Sequence, residues 1–322
     1  AQFQLSGGKN RKAKGHADPA KVVLPPYYPD HPVLRQDWAK YLDSWVKTDE
    51  EVGQILADLK KGGRLDSTAV FLWTDHGVSH LRGKQFLYEE GIRVPMIIRL
   101  PKKQSAGTVR DDLVEHIDVA ACSLKLAGIK IPGNVQGRDL LASDYKTRKF
   151  VFAGRDRCDE TVDILRCVRD SRYKYVRNFM SHVPHAQPSQ YKDGKKIMQV
   201  IRGLHKEGKL NEQQSRPFAP RRPPEELYDL KSDPHELVNL AQAPKSQERL
   251  VAMRKVLYQR MTETRDMGLI PEPILEDVGR KAGNKYLAFL DNDHSGQTLR
   301  LIEVITAGEA NEGAKLLAFA KS

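Results

Sequence analysis

Two short, almost continuously apolar runs constrain this chain more than anything else in it. They are Thr68-Ala69-Val70-Phe71-Leu72-Trp73 and Pro95-Met96-Ile97-Ile98-Arg99-Leu100-Pro101, each bounded by polar or turn-forming residues. A strand that alternates apolar and polar residues needs cover on one face. A strand apolar throughout needs it on both, as in a parallel sheet flanked by helices. Helical stripes lie on either side. Trp38, Leu42, Trp45, Val52, Leu56 and Leu59 recur at spacings of three, four and seven between Val33 and Lys61, and Gly62-Gly63 ends that run. A second helix is predicted around Val114–Leu126, closed by Gly128. Helix, strand, strand, helix with buried strands predicts an α/β fold. Residues 1–32 read as an extended, irregular lead-in. Lys9–Lys14 is basic, and four prolines exclude a helix from Leu24 to Pro32.

Beyond residue 149 the pattern changes. Phe150–Ala153, Ile164–Val168 and Arg172–Val176 read as short strands, and the last alternates charged with apolar residues, which predicts an antiparallel sheet with one wet face. Residues 181–224 are polar and proline-rich, with a helical piece near Lys195–Leu204. Ser246–Arg265 has the stripe of an amphipathic helix. The tail is apolar at helical spacing through Leu287, Leu290, Leu299, Ile302, Ile305, Leu316 and Leu317. This predicts domains over 1–148 and 149–268 and a helical tail over 269–322.

Composition removes several function classes. With 39% hydrophobic and 30% charged residues, the chain can build a core and is not of the disordered type. No run approaches the ~18 apolar residues of a membrane span, and Ala1–Lys14 holds no signal-peptide apolar region. The 3 cysteines, Cys122, Cys158 and Cys167, form neither a disulfide framework nor a Cys-rich zinc site. A net charge of +11 favours anionic partners, but Lys and Arg are dispersed and no nucleic-acid motif accompanies them, so no nucleic acid is expected. Gly203–Lys209 follows a Walker A pattern until Leu210 replaces its final Ser or Thr. His235-Glu236 lacks the second His of a zincin, and no GxSxG elbow occurs.

Chemistry concentrates at Thr74-Asp75-His76-Gly77, beyond the end of the first apolar run, where open α/β sheets place ligands. Read on their own, Asp75 and His76 fit either an oxygen and a nitrogen metal ligand on a tight turn or a capping Asp beside an ordinary His. Lys84, nine residues after Asp75, follows Gly83 and leads through Tyr88-Glu89-Glu90-Gly91-Ile92-Arg93-Val94-Pro95 into the second run. A cation beside a metal suits a phosphoryl or sulfuryl group, whose oxygens carry the transition-state charge.

Strand-Thr-Asp-His-Gly followed by Gly-Lys-x-x-x-Tyr-Glu-x-Gly-Ile-Arg-Val-Pro closely resembles a signature region of the type I sulfatases, in the alkaline phosphatase superfamily. Glu226-Leu227-Tyr228-Asp229-Leu230-Lys231-Ser232-Asp233-Pro234-His235-Glu236, with Asn239-Leu240-Ala241, is similar to the signature of their C-terminal subdomain. With Gly154-Arg155-Asp156-Arg157 and the helix Arg35–Leu59, the resemblance spans residues 20–265 and leans towards heparan N-sulfatase and its bacterial relatives. It implies the C-terminal portion of a mixed-sheet sulfatase domain, a smaller antiparallel α+β subdomain and a helical tail. It also implies Asp75 and His76 as metal ligands, Lys84 on the sulfate, and Ca²⁺ as the metal, ahead of Mg²⁺, Mn²⁺ or Zn²⁺. Tyr88, Glu89, Tyr228 and Asp229 fit architectural roles, and Arg155 and Arg157 suit either an anionic sugar or structural salt bridges. The implied substrate is a sulfated carbohydrate, and the implied location is periplasm, cell surface, secretion or, in a eukaryote, the lysosome.

The family's nucleophile is a formylglycine made from the Cys or Ser of Cys/Ser-x-Pro-x-Arg. None of the cysteines fits that motif, and Ser215-Arg216-Pro217-Phe218-Ala219 carries Ala219 in place of Arg. The expectation is therefore a C-terminal part without the nucleophile, inactive alone, weak in metal affinity, and prone to aggregate through an exposed sheet edge. Two rival readings are a metal phosphoesterase of the same superfamily, which His76 would suit, and a non-catalytic polyanion-binding chain.

Overall fold

The computed structural model describes residues 16–285, 287, 288 and 294–321. The basic stretch Lys9–Lys14 and the tail position Leu290 lie outside the described residues. Two compact units form, and each interleaves distant parts of the chain. No helix among the described residues is long and apolar enough to cross a membrane.

The first unit gathers the residues up to Lys84, Arg93–Arg148 and Gln190–Phe218. Its longest element is the helix Pro32–Lys61. The helix begins at Pro32, one residue earlier than the proline rule suggested. At the first helical position proline loses no hydrogen bond and its fixed φ is already helical. His31 caps the end, its Nδ1 accepting from the Val33 N–H at 3.2 Å. β1 (Val70–Trp73) and β2 (Met96–Arg99) follow.

Here the expectation of fully buried, parallel strands is corrected. β1 and β2 pair antiparallel, with Val70 opposite Arg99 and Trp73 opposite Met96. Among the described residues their sheet has these two strands, so both outer edges are unpaired. Trp73 is 38% and Ile97 60% exposed. The apolar run reported correctly that a strand forms, but direction and cover come from neighbours and are not written in the run. Helix Ile117–Leu126 is anchored by buried Asp118, which takes a bidentate pair from Arg148 at 2.7 and 2.5 Å and the Arg138 N–H at 2.8 Å. Helix Lys196–Lys206 buries Ile197, Met198 and Ile201 on one face.

The second unit comprises Gln85–Ile92, Lys149–Ser189 and the residues from Ala219 on. Its sheet runs β3 (Val151–Cys158), β4 (Thr161–Arg169), β5 (Tyr173–Asn178), β6 (Glu225–Asp229), all antiparallel and in that spatial order. The helix Gln247–Glu263 lays Leu250, Met253, Leu257 and Met261 into a core with Val168, Tyr175, Phe179 and Leu227.

β5 departs from its expected wet face. Lys174 and Arg177 are as buried as Tyr175 and Val176. The charges are tolerated because each is matched: Lys174 Nζ lies 2.8 Å from both Glu89 and Glu236, and Arg177 grips Glu309 at 3.1 and 2.6 Å. A charged–apolar alternation signals a solvated face in the absence of partners, and here partners arrive from residues 85–92, from Glu236 and from the far tail.

Candidate active site

The residues singled out in the first apolar region sit on the loop that leaves β1. Asp75 projects into solvent, its side chain 86% exposed, while its Oδ1 accepts the His76 N–H at 3.0 Å. His76 Nδ1 lies 2.7 Å from the Gly77 carbonyl, which can only accept, so that nitrogen carries the proton. Nε2 then offers a lone pair, 3.6 Å from Asp75 Oδ2. An oxygen and a nitrogen acceptor are thus brought side by side. Among the described residues no group of three or more His, Cys, Asp or Glu side chains is placed to hold a metal. Two donors fall short of the six to eight that Ca²⁺ takes and of the four of a zinc site. These residues do not make a metal site by themselves.

The rest of the loop is held firmly. His80 is buried, stacks on Trp38 with centroids 4.6 Å apart, and meets Asp37 through Nε2 at 2.7 Å. The Lys84 N–H closes the loop onto the Val78 carbonyl at 2.9 Å. Gly83 is required there, because a Cβ would stand 1.8 Å from that carbonyl oxygen. Buried Lys192 donates to the carbonyls of His80 and Lys84 at 2.5 and 2.9 Å. Lys84 is half-buried, its ammonium 4.8 Å from the centre of the Tyr191 ring. Lys195 Nζ lies 4.0 Å from that same ring. Tyr191 and Lys195 were not legible beforehand; they stand more than a hundred residues along the chain, in a stretch with no local motif.

Arg155 and Arg157 lie on β3, in the second unit. The Arg155 side chain is 8% exposed and already engaged with the Gln85 carbonyl at 2.8 Å, Thr161 at 2.8 Å and Asp163 at 3.4 Å. Arg157 is half exposed and paired with Glu272 at 2.7 Å. The two signature segments meet within this unit. Tyr88 donates its hydroxyl to Glu226 at 2.9 Å, Tyr228 bonds the same carboxylate, and Glu236 accepts the Glu89 N–H at 2.6 Å. Asp229 takes a bidentate pair from Arg172, which holds its carboxyl down at about 2. These residues shape the chain around a buried polar knot.

The fold is alkaline-phosphatase-like, as its structural neighbours show. One such structure was solved in complex with its substrate D-glucosamine-2-N,6-O-disulfate. It superposes with a TM-score of 0.52 at 21% identity, over 74% of this chain and 44% of that one. The family models narrow the class: that of the sulfatases matches residues 1–129, and that of the N-sulphoglucosamine sulphohydrolase C-terminal region matches residues 76–203. An ulvan-active sulfatase of Formosa agariphila is 38% identical over 253 residues, 78% of this chain and 42% of the relative. The N-sulphoglucosamine sulphohydrolase of Homo sapiens is 24% identical over 81% of this chain and 55% of its own length. The chain belongs to the sulfatase family. It spans about half the length of the relatives it matches.

Proposed function

We propose that these residues supply one part of the active site of a sulfatase acting on sulfate esters or sulfamates of an acidic carbohydrate. The observation that carries this reading is the loop from Asp75 to Lys84, whose backbone is pinned at Lys84 through Lys192 and the Gly83 turn, beyond a paired oxygen and nitrogen donor. Lys84 would neutralise sulfate oxygens in the transition state. Asp75 and His76 would serve as two ligands of a divalent cation, Ca²⁺ ahead of Mg²⁺, Mn²⁺ and Zn²⁺, with the remaining donors from outside the described residues. The nucleophile would likewise come from outside these 322 residues, since no Cys/Ser-x-Pro-x-Arg motif occurs in them. Arg155 fits the fold better than a substrate contact, because its guanidinium is buried and engaged. A sulfated polysaccharide substrate would place the protein outside the cytoplasm.

Sulfate release measured by ion chromatography tests the reading. The 322-residue chain alone should release none from 4-nitrophenyl sulfate, and release in proportion to added protein would overturn the dependence on an outside nucleophile. In the natural gene product that contains these residues, Lys84→Ala should lower kcat/KM by about 10²-fold, the usual effect of removing one oxyanion donor. An unchanged kcat/KM would remove Lys84 from the site.

A further inference from the structure

The surroundings of Lys84 hold more than one anion-binding group. Ser79 Oγ and the Tyr191 hydroxyl lie 2.8 Å apart. Lys195 Nζ donates to the Ser79 carbonyl at 2.9 Å and also to the Ser79 hydroxyl. The ammonium groups of Lys84 and Lys195 stand 4.8 and 4.0 Å from the centre of one aromatic ring, that of Tyr191, a residue 40% exposed. Among the described residues neither lysine has a carboxylate partner, whereas the nearby Asp193 is committed to Arg202 at 2.7 Å. Two ammonium groups therefore flank one phenol at the surface with no carboxylate partner among the described residues, beside a pair of hydroxyls whose mutual hydrogen bond leaves one O–H to donate. Burial by itself would raise the Tyr191 pKa. The hydrogen bonds from Ser79 and Lys195 and the charges of Lys195 and Lys84 outweigh it and bring the phenol below its ordinary value, which reports a positive local field. An anion beside the ring would be attracted by both ammonium groups at once, and Lys192 pins the backbone of the loop from which Lys84 extends.

We infer that Ser79, Tyr191 and Lys195 form, beside Lys84, a second anion subsite that takes a carboxylate or a further sulfate of a multiply charged saccharide. The inference rests on the proposed sulfatase reading for the role of Lys84 and adds the requirement for a second negative group near the one being cleaved. Lys195 and the two hydroxyls would select among substrates by charge count, and Lys84 alone would not.

Calorimetric titration of the 322-residue chain tests this with three probes: a monosulfated neutral monosaccharide, a disulfated one, and a sulfated disaccharide with one uronate carboxylate. The wild type should bind one or both dianionic probes about tenfold more tightly than the monoanionic one, and whichever gains identifies the second group. Lys195→Met should abolish that gain while changing monoanion affinity less than twofold, Tyr191→Phe should remove part of it, and Lys195→Arg should restore most. A lysine that merely ties down the Ser79 carbonyl would weaken all probes alike; that result, equal wild-type affinities, or no binding of any probe would overturn the subsite. The two readings fail separately. Binding that depends on Lys195, in a gene product that hydrolyses no sulfate ester, keeps the subsite and removes the sulfatase reading. Turnover with no Lys195-dependent charge preference does the reverse.

Discussion

Glu226 shows how much a single residue of the second signature contributes to the fold. It is 2% exposed, yet it accepts from Tyr88 at 2.9 Å, from Asn178 at 2.6 Å and from Tyr228, and faces His185 Nε2 at 3.6 Å. Burial alone would push its pKa up; His185 and the hydroxyl and amide donors overcome that and hold the carboxyl near 2, against an ordinary 4.5. Because the folded value is the lower one, the charge adds stability above pH 4.5 and that stability is lost as pH falls from 4.5 towards 2. A depression of this size corresponds to roughly 3 kcal/mol at neutral pH. Urea unfolding of wild type and Glu226→Gln between pH 7 and pH 3 measures it. The variant should be less stable by about that amount at pH 7 and converge on the wild type in acid. Parallel curves would mean that the ionised form of Glu226 adds nothing. Asp229, held low by Arg172, adds an acid dependence of the same sign that the variant keeps.

Among the secondary-structure elements, the helix Gln247–Glu263 illustrates what local pattern carries. Its apolar residues repeat at helical spacing, and four of them, Leu250, Met253, Leu257 and Met261, are the buried ones. Leu257→Ala should therefore cost about 2–5 kcal/mol, whereas Val251→Ala, on the exposed face, should stay within about 0.5 kcal/mol. Thermal or urea unfolding distinguishes the pair, and equal losses would contradict the assigned face. Where one element supplies its own signal, the sequence was readable: the long helix, the helix before Gly128 and three of the four strands of the second sheet were expected, while the fourth, Glu225–Asp229, was not read as a strand. Where the outcome depends on a distant neighbour, it was not. The antiparallel direction of β2 against β1 and the burial of Lys174 on β5 are set by pairing and by counter-charges, which leave no mark in the strands themselves. The candidate site divides in the same way. Asp75, His76 and Lys84 sit within one loop and could be read in a line, while Tyr191 and Lys195 reach that loop through tertiary packing.

For the molecule as a whole, the question is how complete its chemistry is. The described residues hold a loop that carries the Lys84 ammonium, with Lys192 and Lys195 bonded to its carbonyls, and two metal-type donors, and the chain covers 42% of one sulfatase relative and 55% of another. A hard cation such as Ca²⁺ gains affinity from the number of charged oxygens around it and from their rigidity. Asp75 offers one carboxylate, exposed over 86% of its side chain and therefore well hydrated, and His76 offers a nitrogen that Ca²⁺ does not prefer. A net charge of +11 further disfavours a divalent cation at long range. Calcium titration of the 322-residue chain by calorimetry should accordingly show no saturable binding tighter than about 1 mM. Asp75→Ala should leave that weak signal unchanged in this chain, yet remove metal dependence from a longer gene product that completes the donor set. A micromolar Kd in the 322-residue chain, lost on Asp75→Ala, would mean that these residues already contain a full site, and the proposal that donors come from elsewhere would fall.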